Sequence, residues 1–260
     1  MLRTLTSPTA TLTYADTGEG EAMLIFLHYW GGSSRTWAPV IARLEPQARC
    51  IALNLRGWGG SAALDGRYGL DAMVDDITAL ISALKPNAFL LVGHSMGGKL
   101  AQMVAKRDPA GLRGLVLVAP APPTPMAVPA PQRSATLESY QTRQGVLQAL
   151  GPLTASPLSE ALCEQVIADT LAGHPDAKRA WTEAGMLEDV SAGLDKVIIP
   201  VHVVVGDRDR VEPHDHLRAS LTPALPQTRF SILTGVGHLS PLESPAAIAE
   251  TCVSMLRLAG

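Results

Sequence analysis

The chain has 260 residues, of which 47% are hydrophobic and 17% charged, enough to build one domain with an insertion or two small domains. A formal net charge of −3 argues against a nucleic-acid partner, and no basic run or long apolar stretch points to a membrane. The N-terminal residues lack the apolar segment of a signal peptide. Cys50, Cys163 and Cys252 lack metal-site spacing, and we expect buried free thiols in a cytoplasmic protein.

Seven segments have the composition and length of strands. They are residues 9–14, 22–27, 50–53, 89–92, 115–118, 197–205 and 229–233, with a turn expected at 16–20. Most of them are unbroken apolar runs, not alternating ones. Such runs are typical of strands covered on both faces, as in a parallel sheet.

Helical patterns lie between these segments. From Leu70 to Leu84, apolar residues recur at intervals of three and four and form one apolar face. Residues 99–105 favour a helix directly after the fourth strand. Ser244 and Pro245 are typical of a helix start, and a buried stripe follows. Strands that alternate with helices predict an α/β fold, with a mostly parallel, doubly wound sheet.

One long segment breaks this alternation. A proline-rich stretch at 120–125 follows the fifth strand, and only helix-like stretches, including 159–171 and 177–187, precede residue 196. An ordinary connection in a compact domain is much shorter. We therefore expect residues 123–195 to form a helical cap inserted into a core domain of residues 1–122 and 196–260. An extra helical layer without a role in substrate choice is the alternative.

A Gly-x-Ser-x-Gly motif joins the predicted strand 89–92 to the helix that follows it. Gly93 and Gly97 allow a sharp turn around Ser95 because neither has a Cβ atom. A strand–serine–helix turn of this kind is a nucleophile elbow, which presents the hydroxyl above the sheet edge. This pattern predicts a serine hydrolase that acts by acyl transfer.

Serine is a weak nucleophile and needs a base, which in turn needs an orienting group. The loop after strand 197–205 carries Asp207 and Asp209, and the loop after strand 229–233 carries His238. The other six histidines have simpler explanations. We expect a structural role or exposure to solvent for His28, His94, His174, His202, His214 and His216.

With Ser95, an acidic loop and His238 in this order, the chain resembles the α/β-hydrolase superfamily, in its esterase-like branch with a helical cap. The resemblance implies that the acid closes a Gly-x-x-Asp turn, which matches Asp209, while Asp207 remains the competing residue. It also implies that the backbone amides of Trp30 and Met96 form the oxyanion hole. Neither a metal nor an organic cofactor is implied.

The chain departs from the family pattern in two loops. Tyr29 stands where the family usually has glycine before the oxyanion residue, so its side chain either lines the substrate pocket or packs under the cap. Asn54 replaces the aspartate of the family's Asp-x-Arg-Gly-x-Gly-x-Ser loop. Arg56 in this loop is expected to be structural.

These observations favour a carboxylic ester hydrolase that acts on small molecules. Enol-lactone hydrolysis, carbon–carbon bond hydrolysis and cofactor-free perhydrolysis use the same triad and remain alternatives. A hydrolase-like receptor without catalysis is the non-enzymatic alternative. Ser95 argues against haloalkane dehalogenases and epoxide hydrolases, which have an aspartate at the elbow.

Overall fold

The computed structural model describes residues 1–45 and 47–259, in which nine strands form one sheet. Strand β5 pairs with β2, and the other strands follow the order β1-β2-β4-β3-β6-β7-β8-β9. Their bounds are β1 Leu2–Thr6, β2 Ala10–Thr17, β3 Met23–Leu27, β4 Arg49–Leu53, β5 Ala62–Ala63, β6 Phe89–His94, β7 Leu112–Val118, β8 Val201–Gly206 and β9 Arg229–Leu233. Strands β3, β4 and β6–β9 run parallel, whereas β1, β2 and β5 pair antiparallel.

Ten helices accompany the sheet in the described residues. They are α1 Ala38–Ile41, α2 Leu70–Leu84, α3 Met96–Lys106, α4 Ala130–Ser139, α5 Arg143–Leu153, α6 Glu160–Ala172, α7 Pro175–Glu183, α8 His214–Leu221, α9 Ser240–Glu243 and α10 Pro245–Ala259. Short 3-10 turns lie at Ser34–Trp37, Gly185–Leu187 and Leu194–Lys196. Within the described ranges, no helix has the length and apolar character needed to cross a bilayer.

Both faces of the central strands are covered, because successive strand side chains point to opposite faces. Ile25 and Leu27 pack in a cluster with residues of α2 and α3. Leu24 and Phe26 pack in a second cluster with residues of α1 and α10. The unbroken apolar runs therefore correspond to strands buried on two sides, and the predicted doubly wound, mostly parallel α/β fold is confirmed.

Helices α4 to α7 and two 3-10 turns occupy the segment between β7 and β8, as expected from its lack of strand patterns. Helix α6 begins after Ser159, whose hydroxyl accepts a hydrogen bond from the Leu162 amide. Helix α7 begins after His174 and has proline in its first position.

Several predicted bounds were wrong. The strand expected at 197–205 begins only at Val201; Leu194–Lys196 form a turn before it, and Ile198 is 89% exposed. Strand β2 continues through the expected turn as far as Thr17, because Thr17 pairs with Cys50 of β4. Strand β1 was missed because it is an exposed edge with little apolar pattern. Cys163, expected to be buried, is partly exposed.

Candidate active site

Ser95 lies between β6 and α3 with φ 53° and ψ −116°, an angle pair that non-glycine residues rarely adopt. The surrounding backbone supports this strained turn. The Ser95 amide donates to the carbonyl of Val118 over 3.1 Å, and its carbonyl accepts from the amide of Lys99 over 3.1 Å. A Cβ on Gly93 would lie 2.4 Å from the carbonyl oxygen of Gly97, so the approach of the two segments requires glycine.

His238 is held by Asp209 at the ends of β9 and β8. The Nδ1 atom of His238 donates to Oδ2 of Asp209 over 2.8 Å, and both side chains are buried. The amides of Val211 and Glu212 donate to the other carboxylate oxygen over 2.8 and 2.9 Å. With its proton on Nδ1, a neutral imidazole has Nε2 free to act as a base.

Asp207 has a different partner. Its Oδ1 atom accepts a hydrogen bond from the amide of Gly235 over 2.7 Å, and its side chain is 30% exposed. The structure therefore brings Asp209, and not Asp207, to His238. The two carboxylates lie in one turn but face different neighbours.

Ser95 and His238 line one cavity of about 470 Å³, with Tyr29 and Trp30 in the same wall. Its volume is typical of a site for a small molecule. The remaining lining comes mainly from the helical segment and is largely apolar, including Met126, Val128, Leu153, Trp181 and Met186. A larger cavity of about 690 Å³ is lined by neither Ser95 nor His238, so it does not share this chemistry.

The loop after β3 offers an amide for an oxyanion hole. In the described residues the Trp30 amide donates no hydrogen bond, and Trp30 lines the cavity. Met96 is the first residue of α3, so its amide has no acceptor within the helix. The indole of Trp30 stacks on the ring of Tyr140, with 4.0 Å between centroids and 13° between planes.

Tyr29 does not strain this loop. The left-handed angle falls on Gly31, with φ +95°, and Tyr29 has no positive φ. The Tyr29 ring is 3% exposed and packs in a small cluster formed mostly by α5, α6 and the chain beside His238: Val146, Leu150, Val166, Ile167, Leu239 and Leu242. Tyr29 thus packs under the helical segment and also contributes to the cavity wall.

The helical segment between β7 and β8 also holds the loop after β3, residues 28–33, through polar contacts that sequence reasoning missed. The buried hydroxyl of Thr170 donates to the carbonyl of Gly31 over 3.0 Å. The hydroxyl of Ser33 donates to the carboxylate of Asp169 over 2.9 Å. More than 130 residues separate the partners, and no local motif marks them.

Two buried histidines organise the loops around the site. His28 Nδ1 donates to the carbonyl of Tyr29 over 2.7 Å, and Nε2 accepts from the amide of Leu55 over 3.0 Å. His94 Nε2 donates to the carbonyl of His238 over 2.8 Å. Burial lowers the pKa of His28 to about 4 and holds the pKa of His94 well below its ordinary value. Both imidazoles are therefore neutral at pH 7.

The remaining histidines lie away from the cavity. His202 is half-buried, and its Nε2 atom lies 2.8 Å from the hydroxyl of Ser231. His174 stacks on Tyr68. Across residues 1–45 and 47–259, no cluster of three or more His, Cys, Asp or Glu side chains is arranged to hold a metal ion. His214 and His216 therefore belong to no such cluster in these ranges.

Arg56 is buried in an ionic network, which fits a structural role. Its Nε and Nη2 atoms donate to the two carboxylate oxygens of Asp76 over 2.6 and 2.7 Å. Its Nη1 atom donates to Asp65 over 2.9 Å. In the same loop, the side-chain oxygen of Asn54 accepts from the amide of Ser34 over 2.6 Å, which ties this loop to the end of the loop after β3.

Glu212 is a second buried carboxyl beside Asp209 that sequence reasoning missed. Its side chain is 2% exposed, and neither oxygen has a hydrogen-bond partner among the described residues; Nδ1 of His216 lies 3.4 Å from Oε2 without forming one. Burial raises the pKa of Glu212 to about 8; the charge of Asp209 acts in the same direction, and Lys99 opposes it. Glu212 is therefore mostly protonated at neutral pH.

Comparison with known proteins shows the family of the chain. The model of the alpha/beta hydrolase family matches residues 24–251. The chain belongs to this family. It is 28% identical to a pimeloyl-[acyl-carrier protein] methyl ester esterase of Yersinia pseudotuberculosis, over 90% of this chain and 92% of that protein. It is 29% identical to a non-heme chloroperoxidase of Kitasatospora aureofaciens, over 86% of this chain and 87% of that protein.

Solved structures show the same fold. An esterase from Exiguobacterium antarcticum has a TM-score of 0.86 at 23% identity, over 95% of this chain and 96% of that chain. A thermophilic esterase from Thermogutta terrifontis has a TM-score of 0.82 at 25% identity, over 100% of this chain and 99% of that chain. The protein is thus an alpha/beta hydrolase whose similar proteins include several esterases.

Proposed function

We propose that this alpha/beta hydrolase cleaves carboxylic esters of small to medium size through an acyl-enzyme. Ser95 is the nucleophile, His238 the general base, and Asp209 the group that orients His238. The amides of Trp30 and Met96 form the oxyanion hole. The 2.8 Å contact between His238 and Asp209, in a site whose cavity also contains Ser95, carries this proposal.

In the first half-reaction, Oγ of Ser95 attacks the ester carbonyl carbon while Nε2 of His238 takes the hydroxyl proton. The carbonyl oxygen becomes an anion and accepts hydrogen bonds from the two amides. The C–O bond to the alcohol then breaks, and His238 returns the proton to the leaving oxygen. In the second half, His238 activates a water that releases the acid from Ser95.

We further propose that residues 123–195 act as the cap of this site, on a core of residues 1–122 and 196–260. Met126, Val128, Trp181 and Met186 lie in this segment and line the cavity, which supports a role in choosing the acyl or alcohol group. The contacts of Asp169 with Ser33 and of Thr170 with Gly31 support a second role, which is to keep the proposed oxyanion loop, residues 28–33, in place.

The test is hydrolysis of p-nitrophenyl esters of increasing acyl length, beside a panel of small lactones. We expect ester cleavage that Ser95→Ala reduces by about 10⁴-fold or more while circular dichroism stays unchanged. Lactone opening that is much faster than ester cleavage would replace the proposal by a lactonase. Turnover by Ser95→Ala near the wild-type rate would refute it.

The choice of acid is tested by a matched pair of substitutions in one turn. Asp209→Asn removes the charge beside His238, and we expect a fall in kcat of about 10³- to 10⁴-fold. Asp207→Asn changes a carboxylate that contacts only the loop backbone and Arg208, and we expect less than about a tenfold fall. The opposite ranking would show that Asp207 is the acid.

A further inference from the structure

Arg210 follows Asp209 directly and lines the cavity that contains Ser95 and His238. Its side chain is exposed, and within the described ranges it forms no ion pair and its guanidinium donates no hydrogen bond. Arg208, two residues earlier, has an acidic neighbour and lies outside the cavity wall. It lies 3.8 Å from Asp207 and is absent from the cavity lining.

Arg210 differs in charge from the rest of the cavity wall. Among the residues that the structure describes, Arg210 is the only permanently charged one in the lining. Other polar groups in the wall include the side-chain amides of Gln132 and Gln148 and the hydroxyl of Thr136, and these groups are uncharged.

The acidic residues closest to Arg210 in the chain are already engaged or neutral. Asp209 contacts His238, and Asp207 accepts from the Gly235 amide. Glu212 is buried, and its raised pKa keeps it mostly protonated at neutral pH. The positive charge of Arg210 therefore stays available to a substrate. A guanidinium binds a planar carboxylate with two parallel, charge-assisted hydrogen bonds, and a carboxylate is the simplest anionic group that a small ester can carry.

We infer that Arg210 is a specificity-determining residue that binds a free carboxylate on the substrate. This inference rests on the proposed ester hydrolysis and names its substrate class, which is esters with an apolar segment between the scissile bond and a carboxylate. Arg210 takes no part in bond breaking. Its removal should therefore change the choice of substrate and leave hydrolysis of neutral esters unchanged.

The test compares Arg210→Gln with the wild type on two matched pairs of esters. Monomethyl adipate and methyl hexanoate differ by a carboxylate on the acyl side, and 4-carboxyphenyl butyrate and phenyl butyrate differ by one on the alcohol side. Arg208→Gln is the control, because it removes a neighbouring arginine that does not line the cavity. The measured quantity is kcat/KM at constant pH, at low and high salt.

For one of the two pairs, we expect Arg210→Gln to lower kcat/KM on the carboxylate ester by about tenfold or more, with a change of less than about twofold on its neutral partner. Which pair responds tells whether the carboxylate belongs to the acid or to the alcohol. Arg208→Gln should leave both ratios unchanged, and high salt should weaken the wild-type preference.

Equal ratios of carboxylate to neutral ester for the wild type and Arg210→Gln, on both pairs, would overturn the inference while ester hydrolysis stands. The same loss for Arg208→Gln would also overturn it, because the effect would then come from the general charge of the turn. Failure of the wild type to cleave any of the four esters would overturn the proposed hydrolysis and this inference together.

Discussion

Replacing Glu212 by glutamine should make the stability of the protein less dependent on pH. The carboxyl group is buried without a hydrogen-bond partner in the described structure, next to the carboxylate of Asp209. The Glu212→Gln variant has nearly the same shape and cannot ionise. The comparison with the wild type therefore isolates the cost of a negative charge at this position.

The sign and size of the effect follow from the pKa of Glu212, which burial raises from 4.5 to about 8. Because the folded protein holds this proton more tightly than the unfolded chain, the stability that it contributes is fully present below pH 4.5 and is lost as the pH rises to about 8. At about 1.4 kcal/mol for each pH unit, this interval sets an upper limit of about 5 kcal/mol. Water that approaches the ionised carboxylate reduces this loss of stability, and we expect a loss of ~2–3 kcal/mol.

The assay is urea unfolding, followed by tryptophan fluorescence at pH 5, 6, 7 and 8. The free energy of unfolding of Glu212→Gln minus that of the wild type should rise by ~2–3 kcal/mol between pH 5 and pH 8. Glu250→Gln, at an exposed glutamate of α10, is the control and should show a constant difference. His216 lies 3.4 Å from Glu212, so the comparison is repeated in a His216→Gln background. A difference that stays constant with pH in both backgrounds would refute the reasoning.

Two further substitutions test contacts seen in the structure. Thr170→Val removes the hydrogen bond to Gly31 of the proposed oxyanion loop, and we expect kcat to fall by about three- to tenfold at nearly constant KM, since an oxyanion hole acts mainly on the transition state. Thr182→Val, which removes only contacts within its own helix, should leave kcat unchanged; equal effects would show that the Thr170 contact is merely structural. Asp76→Asn leaves Arg56 buried without its main partner, and we expect a loss of about 3 kcal/mol in urea unfolding. Asp75→Asn, at an exposed ion pair, should cost less than about 0.5 kcal/mol; similar losses for the two variants would contradict the argument.

The sequence alone determined the features that depend on local chemistry. A repeat of apolar residues every three or four positions marks the bounds of α2, which run from Leu70 to Leu84. Unbroken apolar runs indicated strands buried on both faces. The turn around Ser95 requires glycine on both sides because of a steric limit a few residues long, and for that reason a short motif could identify it. The role of His238 as the base was predicted from its position in the loop after strand 229–233 and from the resemblance to a family.

Only the tertiary structure decided which partners meet. Asp207 and Asp209 lie in one turn, and the backbone of the neighbouring loops sends one carboxylate to Gly235 and the other to His238. The hydroxyl of Thr170 contacts the carbonyl of Gly31, 139 residues away in the chain, and Tyr29 is buried only because helices α5 and α6 pack over it. Such contacts depend on how distant elements pack against one another. Nothing in the residues next to them encodes that packing, so local patterns cannot reveal it.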